Sequence, residues 1–424
     1  MQLLCLSNGH GEDVIAVRIL QELQQNQAAP EIAALPLVGE GLAYNQAGIP
    51  IIGPVQKMPS GGFIYMESRQ LLRDLRGGLL QLTFSQWKTV RRWRKKGGVI
   101  LAVGDIVPLL FAWMSGAPYA FVGTAKSEYY IRDEAGILPK RSRTETWSGS
   151  VYFPWERWLL SRKRCQAVFP RDKLTTETLK NWPIPAFDLG NPMMDGVYPN
   201  NPAAMFYEPD AELKEIQRSL VITLLPGSRA PEAYDNWEKI SQSLSGLMHT
   251  FRDRKLLFLG AIAPGLSLEP LQKTLEEQGW RPPSSPSMLA TLQIQDEDAL
   301  VFTQKSATII LTQQDYNFCL LKGDCCIAMA GTATEQFVGL GKPAIAIPGK
   351  GPQFTPTFAE AQSRLLGPSL IVVEQPEKVA GVVQHLLREP DWLQLIAENG
   401  LLRMGEPGAA ARIANSLLEK FESK

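Results

Sequence analysis

A lone acid in a run of small residues is the first candidate for chemistry. In AMAGTATEQFVGLGKPAIAIPGKGP (328–352), Glu335 follows a short apolar strand, a turn at Gly331 and Thr332, and Thr334, which can cap the helix starting there. A carboxylate in a first helical turn favours the helix dipole and needs no ligand to explain it. It can equally accept hydrogen bonds from two vicinal hydroxyls, as the acid of a dinucleotide-binding fold does with ribose. Upstream, VITLLPGSRAPE (221–232) ends an apolar strand in Pro226, Gly227, Ser228 and Arg229. Glycine lets a backbone approach a ligand, serine offers a hydroxyl, arginine forms charge-assisted bonds to phosphate, and helix-start amides attract anions. The plainer alternative is a capped strand-to-helix turn with a surface arginine.

Acid–base chemistry has two candidates in the first half. SNGHGEDVIA (7–16) is a glycine turn, Gly9 and Gly11, carrying His10, Glu12 and Asp13. His10 suits a general base, because an imidazole titrates near working pH and can take a hydroxyl proton. A helix-capping turn with the imidazole in solvent is the alternative. Asp105 ends the buried run VILAVGD, where desolvation can raise its pKa, or where it simply caps the next helix. His249 and His385 have no motif around them. No DxD-like acidic pair stands in a suitable loop, which agrees with the expectation of no obligatory metal and no cofactor beyond the co-substrate.

Positioning such residues takes parallel strands with crossover helices. Short apolar runs (QLLCLS, EIAALPLV, VILAVGD, APYAFVG, CQAVFP) alternate with longer amphipathic ones, and the second half repeats the rhythm in LVITLLPGS, KLLFLGA, ATIILTQ, CCIAMAG, PAIAIPG and SLIVVEQ. The reading is α/β with two Rossmann-like doubly wound domains, because 424 residues exceed what one core usually serves. The boundaries are 1–195 for the first domain, 196–214 for a Pro- and Asn-rich linker, and 215–404 for the second domain. Residues 405–424 form a C-terminal helix that can pack back on the first domain. A cleft between the domains is the expected site.

The 43 basic and 43 acidic residues cancel, which argues against nucleic acid as a partner. Residues 1–190 nevertheless carry 23 Lys and Arg against 16 Asp and Glu, so the first half could favour an anionic surface. Five cysteines without zinc or disulfide spacing read as free thiols of a reducing compartment. The start reads as a first strand rather than a signal peptide, and no apolar window reaches the ~18 residues of a span. A cytoplasmic protein follows, peripheral at most at the inner face of a membrane. WKTVRRWRKK (87–96) and WSGSVYFPWERWLLSRKR (147–164) interleave tryptophans with cations. With the apolar GGFIYM (61–66) they could form an interfacial patch, or be solvated helix faces with tryptophans in the core.

LPGSRAPE followed by AGTATEQFVGLGKP resembles lipid-A-disaccharide synthase, whose motifs read LPGSR…E and SGTATLE; GNPMMD (190–195) is similar to its VGHPxxD segment. The chain is identified as a member of the lipid-A-disaccharide-synthase-related group, GT-B glycosyltransferases. The resemblance implies inverting transfer of a hexosyl group from a UDP-sugar to a lipid or lipid-linked acceptor at a membrane surface, without a covalent intermediate. It implies that Ser228 and Arg229 face the donor diphosphate, that Gly331, Thr332, Ala333 and Thr334 wrap it, and that Glu335 binds the ribose. Gln353 and Gln362 become candidates for sugar hydroxyls, and the backbone near Gln314 and Asp315 for the base. The synthase reads GEASGD where this chain has SNGHGED, and has a catalytic aspartate where Asp105 stands, so the base remains His10 or Asp105. The alternatives are a nucleotide-sugar epimerase of the same fold and a noncatalytic nucleotide-sugar-binding protein.

Overall fold

The computed structural model describes residues 1–26, 29–56, 79–139, 146–197, 218–283 and 294–422. The chain divides into two compact units, Met1–Asp195 with Glu406–Lys424, and Gly196–Gly405. GGFIYM and, from residue 198 onward, the expected linker lie outside the described residues.

In the first unit, β1 (Gln2–Ser7), β2 (Glu31–Pro36), β3 (Val99–Gly104), β4 (Tyr119–Gly123) and β7 (Cys165–Phe169) form a parallel sheet in the order β2-β1-β3-β4-β7. Between β4 and β7 lies a small hairpin of β5 (Arg132–Asp133) and β6 (Gly136–Ile137). The large strands are apolar throughout because both faces are covered. Leu3 and Cys5 of β1 pack with Ile15, Leu20, Ile413 and Leu417 of helices His10–Gln25 and Ala409–Glu422. Leu4 and Leu6 join Val90, Trp93, Leu109 and Phe111 of helices Leu79–Lys95 and Ile106–Ser115 on the other face.

GNPMMD has a structural task here. The Asp195 carboxylate accepts from the amides of Gly408 (2.6 Å), Ala409 (3.2 Å) and Ala410 (2.6 Å), capping helix Ala409–Glu422. Arg412 of that helix donates to the Leu189 carbonyl at 3.0 Å, and Arg18 to those of Pro192 and Met193 at 2.7 and 2.9 Å.

The second unit holds β8 (Leu220–Leu225), β9 (Leu256–Ala261), β10 (Leu300–Gln304), β11 (Ala307–Thr312), β12 (Cys325–Ala328), β13 (Ala344–Ala346) and β14 (Leu370–Val372), in the order β10-β11-β9-β8-β12-β13-β14. All neighbours are parallel except β10 and β11. β10 is absent from the runs read in the sequence. It is an edge strand joined to β11 by the two-residue turn Lys305–Ser306, where Lys305 takes φ 53 without the Gly or Asn that usually marks such a hairpin. Of the two tryptophans in WKTVRRWRKK, Trp93 is core and Trp87 packs half-buried against it, so that run is an ordinary helix face.

Candidate functional site

Each sheet has one place where the strand order reverses, and ligands of open α/β sheets sit beyond the carboxyl ends of the strands there. In the second unit that place lies between β8 and β12. β8 runs into Pro226, Gly227, Ser228 and Arg229, and β12 into Ala330, Gly331 and helix Thr332–Gly339. Gly227 takes φ +101, and a Cβ on it would lie 3.3 Å from the Met329 carbonyl. The two turns are therefore in contact. Ser228, Arg229 and Thr332 are exposed, Gly331 and Ala333 half-buried, and Thr334 and Glu335 buried, Glu335 at 8 % exposure. The amides of Thr332, Ala333 and Thr334 belong to a first helical turn and have no intrahelical acceptor.

Two carboxamides hold this rim. Asn236 donates to the carbonyls of Pro226 (3.0 Å) and Met329 (3.4 Å), tying the turn after β8 to that after β12. Gln362 donates to those of Ala330 and Gly331, each at 3.2 Å. With its amide committed to backbone, Gln362 is a support of the glycine turn, and its buried Oε1 has no hydrogen-bond partner. Thr334 Oγ1 donates to the Ala330 carbonyl at 2.5 Å. Carbonyl oxygens that would repel an anion are thus occupied, while the helix-start amides remain.

Helix Glu232–Thr250 positions the third segment. Glu232, Asn236 and Lys239 share a face at i, i+4 and i+7. The Glu232 carboxylate accepts from the amides of Gln353 (3.1 Å) and Phe354 (2.6 Å), and Lys239 donates to the Pro348 carbonyl at 2.7 Å. Gly351 passes so close that a Cβ there would overlap the carboxylate. The final acid of LPGSRAPE therefore anchors the loop bearing Gln353.

The base-side segment is differently occupied. Asp315 accepts from the amides of Gln295 (2.7 Å) and Asp296 (2.9 Å), so its side chain fastens residues 295 and 296 to the loop after β11. Asp296 in turn accepts from Thr312 Oγ1 (2.6 Å) and the amides of Gln313 (2.8 Å) and Gln314 (3.2 Å). Burial pushes its pKa up, but these hydrogen bonds outweigh it and hold the carboxyl below its ordinary range. Gln314 keeps an exposed side chain, and Tyr316 Oη donates to Gln336 Oε1 at 2.6 Å, linking this loop to the helix of Glu335.

In the first unit the reversal lies between β1 and β3. His10 opens the helix after β1, behind Gly9 at φ 130, and Asp105 follows β3. Asp105 Oδ1 accepts from the Val107 amide at 2.8 Å, making it the cap of helix Ile106–Ser115, and Oδ2 accepts from Asn8 Nδ2 at 3.1 Å. Burial raises the pKa of this carboxyl, against those two hydrogen bonds; Glu156 pushes it further up and Lys126 down. Glu156 and Lys126 are paired at 2.5 Å. Asn8 Oδ1 and Thr124 Oγ1, after β1 and β4, are buried without a hydrogen-bond partner. Glu12 is half-buried beside Gly9 and Gly104, and Gly11 is exposed. Asp13 is buried and accepts from Ser7 Oγ at 2.5 Å, while that oxygen lies 2.6 Å from Tyr44 Oη. Burial lifts the Asp13 pKa to about 6, partly offset by Ser7. Asp13 is thus an internal strut behind the glycine turn.

Asn8, Asn236, Tyr316 and the Lys126–Glu156 pair escaped the sequence reading. Their partners are distant in the chain, and only for Asn8, inside SNGHGED, was a local signal present.

No protein-family model and no curated protein sequence matches the chain. Solved structures do. MnaA of S. aureus in complex with UDP aligns with 100 % of this chain and 97 % of its own at TM-score 0.56 and 12 % identity. UDP-GlcNAc 2-epimerase from Neisseria meningitidis, bound to UDP-GlcNAc, aligns with 99 % and 100 % at TM-score 0.53 and 14 % identity. MurG of Acinetobacter baumannii covers 99 % of both chains at TM-score 0.55 and 14 % identity. The likeness to lipid-A-disaccharide synthase in particular is carried by the short motifs alone. The chain has the GT-B fold, two Rossmann-like α/β domains in one polypeptide.

Proposed function

We propose that the protein is a UDP-sugar-dependent enzyme that holds the nucleotide diphosphate at the β8/β12 reversal. One observation carries this reading: the turn Pro226–Arg229 and the start of helix Thr332–Gly339 meet there, with their carbonyls taken up by Asn236 and Gln362. The diphosphate then faces Ser228, Arg229 and the free first-turn amides, which offset the charge of a leaving UDP. Glu335 follows in the same first turn, where a carboxylate can accept from the two ribose hydroxyls.

Two chemistries fit. The structural neighbours favour epimerisation of the nucleotide sugar without any acceptor, since one of them is a 2-epimerase bound to UDP-GlcNAc. A base then takes the C2 proton as the C1–O bond breaks and its electron pair leaves with UDP, giving a C1=C2 double bond; UDP, still held by the second unit, adds back to C1 while a proton is delivered to the other face of C2, with His10 and Asp105 as the candidate groups. The motifs LPGSR and AGTATE favour inverting hexosyl transfer to a lipid-linked acceptor. There, one base takes the acceptor hydroxyl proton, the oxygen attacks the anomeric carbon and the bond to UDP breaks. Incubation of the purified protein with UDP-N-acetylglucosamine separates them. A C2-inverted nucleotide sugar formed without any acceptor supports epimerisation, and release of UDP only when a lipid acceptor is added supports transfer. Neither product, together with no UDP binding, overturns the proposal.

A further inference from the structure

Three exposed tryptophans of the first unit, Trp147, Trp155 and Trp158, stand close together with two exposed aliphatic side chains. Helix Ile106–Ser115 turns Leu110 (39 % exposed) and Met114 (43 %) outward, and helix Pro154–Leu160 does the same with Trp155 (54 %) and Trp158 (46 %). The two helices meet through Trp113 and Trp158, whose rings pack edge to face at 5.3 Å. Trp147, 58 % exposed, extends the patch by stacking on Phe153 at 6.2 Å, and Phe153 stacks on Trp155 at 4.7 Å. Trp113 packs partly against the core, whereas Trp147, Trp155 and Trp158 each leave about half of their area in water.

Within the two segments that carry these rings the exposed charge is cationic. The Arg162 guanidinium lies 4.3 Å over the Trp158 ring, Arg164 donates to the Trp113 carbonyl at 3.1 Å, and Lys163 between them is exposed. Residues 147–164 contain a single acid, Glu156, and it is buried against Lys126. Residues 106–116 contain none. Indoles with half their area exposed, in segments whose exposed charges are cationic, match a headgroup layer: rings at the polar–apolar boundary, cations on anionic lipid. No helix among the described residues is long and apolar enough to cross a membrane, so contact here is from the surface.

We infer that the face built from helices 106–115 and 154–160 and from Trp147 docks on an anionic lipid bilayer. The inference goes beyond the nucleotide reading and stands independently of it, because lipid binding and UDP binding are measured separately. The test is co-sedimentation of the full chain with phosphatidylcholine vesicles, with and without phosphatidylglycerol, alongside tryptophan emission. Wild type is expected to bind the anionic vesicles with a blue-shifted emission, to bind neutral ones weakly, and to release on raising salt. Trp147→Ala with Trp155→Ala, and separately Arg162→Glu with Lys163→Glu, should each weaken binding by about tenfold or more. Unchanged thermal unfolding and unchanged UDP titration show that these variants are folded. Absence of wild-type binding to anionic vesicles, or binding at wild-type strength by both double variants, overturns the inference. So does concentration-dependent dimerisation that Trp147→Ala with Trp155→Ala abolishes, which would assign the face to a second copy of the chain.

Discussion

Replacing Glu232 with alanine tests how the loop that bears Gln353 is held. The carboxylate is 6 % exposed and takes two amide hydrogen bonds, from Gln353 at 3.1 Å and Phe354 at 2.6 Å. Hydrogen bonds to a charged acceptor contribute roughly 1.5–3 kcal/mol, and a buried donor left without a partner costs a similar amount. The Phe354 amide has no route to solvent in the present packing, whereas the half-buried Gln353 can turn toward water, so one full loss and one partial loss are expected. Together with about 0.5 kcal/mol from the acid at the helix N-terminus, Glu232→Ala should destabilise the second unit by about 2–4 kcal/mol. At roughly 2–4 °C per kcal/mol for a domain of this size, calorimetry of the full chain should show its transition about 4–16 °C lower. Glu232→Gln keeps an acceptor oxygen and should fall about midway. A Glu232→Ala transition within about 1 °C of wild type would refute the assignment of this carboxylate as the loop anchor.

Two further outcomes follow from the first unit. Burial raises the folded Asp13 pKa from its ordinary value of 3.8 to about 6, so its protonated form favours the fold; that contribution is complete below about pH 4 and is lost as pH rises through 6. Asp13→Asn should therefore unfold at a higher temperature than wild type at pH 8, by an amount equivalent to about 2–3 kcal/mol, with the gap closing toward pH 4; a gap that does not change with pH contradicts it. Asp195→Ala removes the carboxylate from three amides and should loosen helix Ala409–Glu422 by about 1–2 kcal/mol, read as faster hydrogen exchange in that helix while the second unit's sheet is unaffected; equal exchange throughout contradicts it.

Much of this architecture is legible before any coordinates, for a physical reason. A parallel sheet covered on both faces requires continuous apolar strands, and LVITLL and CCIA announce themselves that way, each ending in the glycine turn that marks its carboxyl end. The two turns could be listed as ligand contacts, yet their adjacency depends on β12 pairing with β8 across a hundred residues of chain, which only the register of the folded sheet supplies. Polar supports are harder to read. Asn236 looks like any helix residue until its two carbonyl partners are in place, and Gln362 reads as a ligand contact although the backbone already holds its amide. Tryptophans show the same limit: Trp93 and Trp155 both stand among cations in sequence, but Trp93 shares a helix face with buried Leu82, Gln86 and Val90, whereas Trp155 faces outward. Asp105 reads as a base or a cap, and the structure makes it the cap of helix Ile106–Ser115 while its second oxygen accepts from Asn8 in the turn after β1.

The central claim is a nucleotide diphosphate held at the β8/β12 reversal, and titration calorimetry with UDP tests it most directly. The account predicts saturable one-site binding to the full chain, weakened by about tenfold or more in Arg229→Ala and again in Glu335→Ala, each of which removes a charge-assisted contact. No heat of binding with UDP or any UDP-sugar, or UDP binding that both variants retain at wild-type strength, would contradict it.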